Sequence, residues 1–371
     1  MTSPPVRLID LKRLPRAFWS VTLVGVVFTL ARFSEAFLIL KASAEGLPLV
    51  LAPLVLATPA IAQSRTKVRM AGGGIALYGY MPFFVALGQD LFAKHGIEAE
   101  VAQFPGGARA MQALLGGSSD MVCGYYEHTI QMAAKGAKLQ AFVLQAQNSG
   151  LALGVRKALA GEIKTVADLK GRKIGVSAPG SATHLFAMQL LVKAGLKPTD
   201  AAAIGVGTTQ TAMSSFERGD IDALSLFDPI INELEGKDSI IILADARDSA
   251  GTQAIFGGPY ASGCLYADAA WIPKNEAAVR GATAAILEAT AFLRGATPDQ
   301  AIGALQAGMC AVGRDVCDRA FTRNRDAYMH NGTVTPEMAQ TVHRMLAGFD
   351  PAIANAKVDV SQTYTNKFVN A

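Results

Sequence analysis

From Val68 onward, short β-forming runs alternate with apolar runs of helical period, and glycine-rich turns separate them. Val68–Ala71, Glu98–Val101, Asp120–Gly124 and Leu139–Gln145 read as strands. Between them, Phe83, Phe84, Ala86, Leu87 and Leu91 form one helix face, and Met111, Ala113, Leu114 and Leu115 form another. Pro82 suits a helix start, where its missing N–H costs nothing, and Gly96 is a helix stop. The plan repeats from Arg172. Its strands are Lys173–Val176, Ala203–Val206, Ala223–Phe227 and Ile240–Ala244; its helices are Thr183–Ala194, Gln210–Arg218 and Pro229–Leu234. Strands joined by helices predict parallel sheets that bind ligands outside their carboxyl edges. Two such sets predict an α/β protein of two lobes.

Gln145–Arg156 reads as an extended crossing between the lobes, and Gly251–Gly258 as the return. Beyond Tyr260 and Cys264–Ala267 the chain is mostly helical: Ala277–Leu293, Pro298–Cys310, Asp315–Tyr328 and Pro336–Leu346. The expected division is 63–155 for the first part of lobe one, 156–251 for lobe two, and 252–371 for the completion of lobe one with the C-terminal helices.

The first 62 residues have a different pattern. Ala17–Leu30 is apolar but short, and Arg32 and Glu35 interrupt it before Ala36–Leu40. A spanning helix needs about 20 apolar residues without charge. A second apolar run, Leu47–Leu56, leads to Ala60-Ile61-Ala62, a small-residue cleavage pattern. The expectation is an export leader over 1–62, cleaved after Ala62, and a periplasmic body. Two other readings of the doubled run stay open: a true start downstream of Met1, and an uncleaved anchor at Ala17–Leu40.

Composition sharpens this picture in two places. Net charge is +4, of which 1–62 carries +3, so the body is nearly neutral. Nucleic-acid binding needs a basic face to displace counterions, and is excluded as an expectation. All four cysteines, Cys123, Cys264, Cys310 and Cys317, lie in the body. An oxidising compartment permits disulfides. Cys310 and Cys317 flank a glycine-containing break and could close a small loop; Cys123, in an apolar run, reads as a buried thiol.

The stretch GRKIGVSAPGSATHL, from Gly171 to Leu185, is strand, Gly/Ser turn and helix start. The first amides of a helix lack internal partners, and its dipole adds positive charge there. Ser177, Ser181 and Thr183 add hydroxyls at the same place. That is a recipe for holding an anion, although a capped βα turn that binds nothing has the same pattern. The glycines after Val68 do not form a dinucleotide fingerprint, because the third required position falls on Leu77. No G-x-S-x-G elbow and no H-E-x-x-H occurs, and no C-x-x-C. Catalysis, metals and cofactors are not expected.

Four stretches resemble one family. Leu91–Glu98 (LFAKHGIE), Leu114–Asp120 (LLGGSSD), Asp168–Val176 (DLKGRKIGV) and Glu217–Ala223 (ERGDIDA) are similar, in that order, to motifs of periplasmic solute-binding proteins of ABC importers. The relatives serve sulfonates, taurine, nitrate and thiamine-precursor pyrimidines. The resemblance implies a type II periplasmic binding protein fold: two lobes, two hinge crossings, and a ligand between them on closure. It further implies a monomer that delivers a small-molecule solute to an ABC permease and ATPase in the inner membrane. A non-transport sensor would share the cleft. A pyrimidine-synthase-like enzyme of the same fold would carry a cysteine-rich motif that this chain lacks.

If strand ends face such a cleft, its lining would include Tyr78, Tyr80, Gly107, Tyr125 and His128 from lobe one. Asn148 would lie at the first crossing and Tyr260 at the second. Ser177, Ser181, Thr183, Thr208, Thr209 and Asp228 would come from lobe two. Helix starts would grip a polar head, and tyrosines would stack on an apolar or aromatic remainder. Glu127 opposes a bare anion but would accept from an amine or a pyrimidine N–H. His95, His330 and His343 read as surface histidines without a role.

Overall fold

Strands β1 (Thr66–Gly72), β2 (Ile97–Gln103), β3 (Met121–Tyr125), β4 (Leu139–Leu144) and β10 (Gly263–Asp268) pair in the order β2-β1-β3-β10-β4. Strands β5 (Leu151–Arg156), β6 (Lys173–Val176), β7 (Ala202–Gly205), β8 (Ala223–Phe227) and β9 (Ile240–Ala246) pair in the order β7-β6-β8-β5-β9. The two sheets have the same plan. In each, three neighbouring strands run parallel, and the fourth position holds an antiparallel strand that enters from the other lobe. The computed structural model describes residues 65–74, 78–305, 309–328 and 330–369. The expected leader and its cleavage site lie outside the described residues.

The sheets are thus mixed, where the alternation of strands and helices predicted parallel ones. Two strands make the difference. Residues 151–156, expected as part of an extended crossing, are β5, antiparallel to both β8 and β9. Cys264–Ala267 lies in β10, antiparallel to β3 and β4. Each is buried nearly throughout, as a central strand should be, and so lacks the polar alternation that marks an exposed one. Gly154 further disguises β5. A Cβ there would lie 2.5 Å from Ile240 Cγ1 and 2.9 Å from the Ile241 carbonyl, at a register shift in the β5–β9 pairing. The chain therefore crosses between the sheets at 145–150 and again at 247–262, the second crossing containing the helix Ser249–Phe256.

Helices cover both sheets. Those that matter for the cleft are α1 (Met81–Gly88), α3 (Gly107–Leu115) and α4 (Glu127–Ala134) in lobe one, with α2 (Leu91–Lys94) between them in sequence. In lobe two they are α5 (Ala182–Lys193), α6 (Gln210–Arg218) and α7 (Ile230–Gly236). The second crossing carries α8 (Ser249–Phe256). The long α9 (Glu276–Gly295) lies on lobe one. The short α10 (Pro298–Gly303) stops well before the expected Cys310. Next, α11 (Arg314–Asn324) ends in a 3-10 turn, Arg325–Tyr328, and α12 (Pro336–Ala347) follows. Cys310 and Cys317, the latter within α11, form a disulfide, while Cys123 and Cys264 are buried thiols. His330 is in a bend and half-buried rather than on a helix surface. Among the described residues no helix is long and apolar enough to cross a membrane.

Candidate ligand cleft

The carboxyl ends of the central strands in the two lobes face each other, and small residues let them approach. Gly106 precedes α3; a Cβ there would lie 2.7 Å from Ser181 Oγ and 3.0 Å from Ser177 Oγ of the opposite lobe. The Ala108 amide donates to Ser181 Oγ at 3.0 Å. Ser181 is the N-cap of α5, yet its hydroxyl does not cap its own helix, and Gly106 has no side chain to cap α3. Two helix N-termini therefore converge on one spot with their positive ends together. Behind them, the Ser177 amide donates to Thr183 Oγ1 at 2.9 Å, the Ser177 and Thr183 hydroxyls are 2.8 Å apart, and Ser225 Oγ donates to the Thr183 carbonyl at 2.6 Å.

His128 completes the lobe-one wall. It is fully buried, and its ring fills the space a side chain at position 107 would need: a Cβ on Gly107 would sit 2.6 Å from Cε1. Nδ1 is 3.2 Å from the Tyr266 hydroxyl, and Nε2 has no partner. Burial pushes the imidazole down to about 4, so it is neutral at physiological pH. In the tautomer in which Tyr266 donates to Nδ1, Nε2 carries the ring proton and makes no hydrogen bond, while the Gly180 backbone of the opposite lobe acts on the ring against the effect of burial. Beside it, Glu127 is equally buried. Oε1 accepts from the Tyr260 hydroxyl at 2.7 Å, and Oε2 has no partner. Burial raises its carboxyl to about 7 against the lowering effect of that bond.

The aromatic residues make the floor. Tyr125 is fully buried; its ring meets Tyr80 edge-on at 5.4 Å and tilts on Phe227 of lobe two at 5.3 Å. Its hydroxyl donates to the Ser149 carbonyl in the first crossing at 2.8 Å. Tyr125 thus joins both lobes and the hinge. Tyr80 and Phe227 pack against its ring. At the mouth, Thr208 and Thr209, with Gln103, Phe104 and Pro105 opposite, line an open groove of about 410 Å³.

Three expected lining residues are engaged elsewhere. The Tyr78 hydroxyl donates to the Cys317 carbonyl at 2.7 Å. Asn148 donates to Asp326 Oδ1 at 2.9 Å and accepts from Ser249. Asp228, fully buried, accepts from the Asn232 amide, from Arg247 Nη1 at 3.2 Å and from Asn324 Nδ2 at 2.7 Å. Arg247, also fully buried, pairs in addition with Glu235 and Asp245. Burial raises the Asp228 carboxyl even though Arg247 faces it. The structure therefore gathers Gly107, His128, Ser177, Ser181 and Thr183, places the expected Tyr260 on Glu127, and adds Tyr266 as the partner of His128. Tyr266 is on β10, a strand the pattern did not mark; its only signal was an aromatic in a short apolar run. No cluster of potential metal ligands occurs among the described residues.

Residues 79–301 match the family model described as NMT1/THI5 like. An Escherichia coli (strain K12) protein, provisionally named as aliphatic sulfonates-binding, is 30% identical over 229 residues. That alignment covers 58% of this chain and 65% of the relative, so the chain spans somewhat less than two thirds of that protein's length. A Bordetella bronchiseptica RB50 protein of solved structure is 36% identical with a TM-score of 0.80, over 83% of this chain and 96% of that one. The periplasmic aliphatic sulphonate binding protein SsuA of Escherichia coli has a TM-score of 0.60 at 24% identity, over 83% of this chain and 100% of its own. At that identity the likeness concerns the fold, which is the two-lobed, type II periplasmic binding protein fold in both.

Proposed function

This chain belongs to the NMT1/THI5-like family, and on that premise we propose that it is the solute-binding component of an ABC importer, holding a small organic anion between its lobes. One observation carries the reading. The N-termini of α3 and α5 meet across the cleft at Ala108 and Ser181, next to a buried His128 Nε2 that has no partner. Such a constellation offers main-chain amides, hydroxyls and an imidazole N–H to one anionic head, with no need for a basic side chain. A sulfonate group suits it, and the relative named as aliphatic sulfonates-binding points to the same class. The two crossings at 145–150 and 247–262 supply the hinge for closure on the ligand.

The place of action proposed is the periplasm, after export. The Cys310–Cys317 disulfide supports an oxidising compartment. The proposed partners are a membrane permease and its ATPase, met by a monomer, and no reaction is assigned to the cleft.

The test is a thermal-shift series on the body from Arg65 against alkanesulfonates, nitrate, aromatic acids and pyrimidines. A ligand at 100 times its Kd adds about 2.7 kcal/mol. Alkanesulfonates are expected to raise the melting temperature, and Ser181→Ala to weaken them about tenfold, the worth of one good hydrogen bond. If sulfonates leave the melt unmoved while a pyrimidine shifts it, the anion reading is wrong.

A further inference from the structure

The lobes are joined by more than the two crossings. Residues 323–326, at the end of α11 and the start of its 3-10 turn, are anchored on lobe one and bond to lobe two and to the hinge. The anchor has two parts. Arg325 Nη2 donates to the Ala296 carbonyl, just beyond α9, at 2.7 Å, and the Tyr328 hydroxyl donates to the Tyr78 carbonyl at 2.7 Å. From that base, Arg323 pairs with Asp245 of β9. Asn324 Nδ2 donates to Asp228, just after β8, at 2.7 Å.

Asp326 takes both crossings in one carboxylate. Oδ1 accepts from Asn148 Nδ2 of the first crossing at 2.9 Å. Oδ2 accepts from the Ser249 hydroxyl of the second at 2.7 Å, and from the Ser249 amide at 3.0 Å. The main chain beside it also holds the first crossing: the Gln147 amide donates to the Ala327 carbonyl at 3.0 Å, and Gln147 Nε2 to the Asp326 carbonyl at 2.9 Å. The donors to the carboxylate are neutral, and hydrogen bonds to an ionised acceptor are about twice as strong as those between neutral groups.

When a hinge bends, the crossings turn with lobe two while residues anchored on lobe one do not. A single tie between them could serve as a pivot. Here the ties end at Asp228, Asp245, Asn148 and Ser249, and a set spread in this way resists rotation about any one of its members. All of these bonds run between groups of the protein, so they act before a solute arrives.

We propose that residues 323–326 form a clasp that holds the lobes together in the protein without solute, and that Asp326 is its positioning residue, fixing both crossings at one bend. The clasp raises the population of the arrangement in which α3 and α5 meet, and so removes part of what a solute would otherwise spend on closing the cleft. It works in the same way whichever solute the cleft takes.

The Ala108 amide reports the contact between the lobes. It stands in the first turn of α3, and its acceptor is Ser181 Oγ of the other lobe. Amide hydrogen exchange on the protein at neutral pH, with no solute added, follows it. Asn148→Asp sets a second carboxylate against Asp326 and should speed exchange at Ala108 about tenfold, while the amides of β3 and β8 stay within about twofold of the wild type. Combining Asn148→Asp with Asp326→Asn restores a donor opposite an acceptor with the roles exchanged, and should bring Ala108 back to within about twofold of the wild type. Ser249→Ala removes one donor only and should give a shift of about threefold; it decides the matter if the paired carboxylates prevent folding. The inference is overturned by an Ala108 amide that is unprotected in the wild type, by exchange there that no variant moves, or by a swap that does not restore it. Equal acceleration in β3 and β8 also overturns it, because Asp326 would then support the fold as a whole. No readout uses a ligand, so the fate of the anion-site reading is decided separately.

Discussion

The Ala108 amide in one lobe donates to the Ser181 hydroxyl in the other at 3.0 Å. Each residue stands in the first turn, or at the cap, of a helix whose positive end faces the cleft. Two like partial charges are drawn together here by one serine oxygen. The contact therefore belongs to a closed arrangement of the lobes, and residues that hold it should affect binding more than folding.

Gly106→Ala tests the closeness of the lobes. Gly106 has an extended backbone, φ −176°, which any residue adopts, so alanine brings no local strain. Its methyl would meet Ser181 Oγ, Ser177 Oγ and Ala178 Cβ across the cleft at 2.7, 3.0 and 3.1 Å. Gly106 is buried, but the atoms its methyl would meet belong to the opposite lobe, so parting of the lobes relieves the clash and the ligand-free protein should lose no more than about 1 kcal/mol. Ligand affinity should fall more than tenfold, and small-angle scattering should show no compaction on adding ligand. A variant that binds and closes like the wild type refutes the contact.

Glu127 gives a signed pH dependence. Burial raises it from its ordinary 4.5 to about 7, so between these values the folded chain holds a proton that the unfolded chain has released. Its contribution is complete below pH 4.5 and is lost as pH rises to 7. His128 and His330, pushed down by burial to about 4, act the opposite way, costing stability as pH falls from 6.5. The difference between wild type and Glu127→Gln cancels the histidines. That difference should shift against the wild type by roughly 3 kcal/mol between pH 4.5 and 7. Urea unfolding at several pH values measures it, and a flat difference would show that Glu127 is not desolvated.

The Cys310–Cys317 bridge closes a loop with a sequence separation of 7, and the Cys317 carbonyl receives the Tyr78 hydroxyl. Loop-closure entropy for so short a ring is worth about 2 kcal/mol. Reduction, or the double change to serine, should lower stability by that amount. Tyr78 should become more mobile, seen as faster hydrogen exchange at Tyr78–Tyr80. No change in the melt on reduction would mean that the loop is held without the bond.

Arg247 is fully buried among Asp228, Glu235 and Asp245, and Asn324 of α11 completes the shell of Asp228. Arg247→Met leaves Asp228 as an unpaired buried charge, a cost of about 3–5 kcal/mol. Adding Asp228→Asn should recover a large part of it, because the uncompensated charge is then gone. Denaturation of the two variants side by side decides this. If the double variant is no better than the single one, Arg247 acts through its packing and not its charge.

The chain's linear order determined the βα units, because strand and helix periods, glycine stops and cap residues act among near neighbours. The turn at Ser177–Thr183 was legible as a helix start for the same reason, and four ordered motifs pointed to the family before any fold was seen. Tertiary structure alone decided the rest. It placed β5 and β10 antiparallel inside the sheets, since their buried runs and Gly154 leave no alternation to read. It turned Ser181 away from its own helix and toward Ala108, 73 positions distant. It paired Asp228 with Arg247, and the Tyr78 hydroxyl with the Cys317 carbonyl, 239 positions on. Such pairings depend on where distant strands end in space, and no local pattern of residues carries that information.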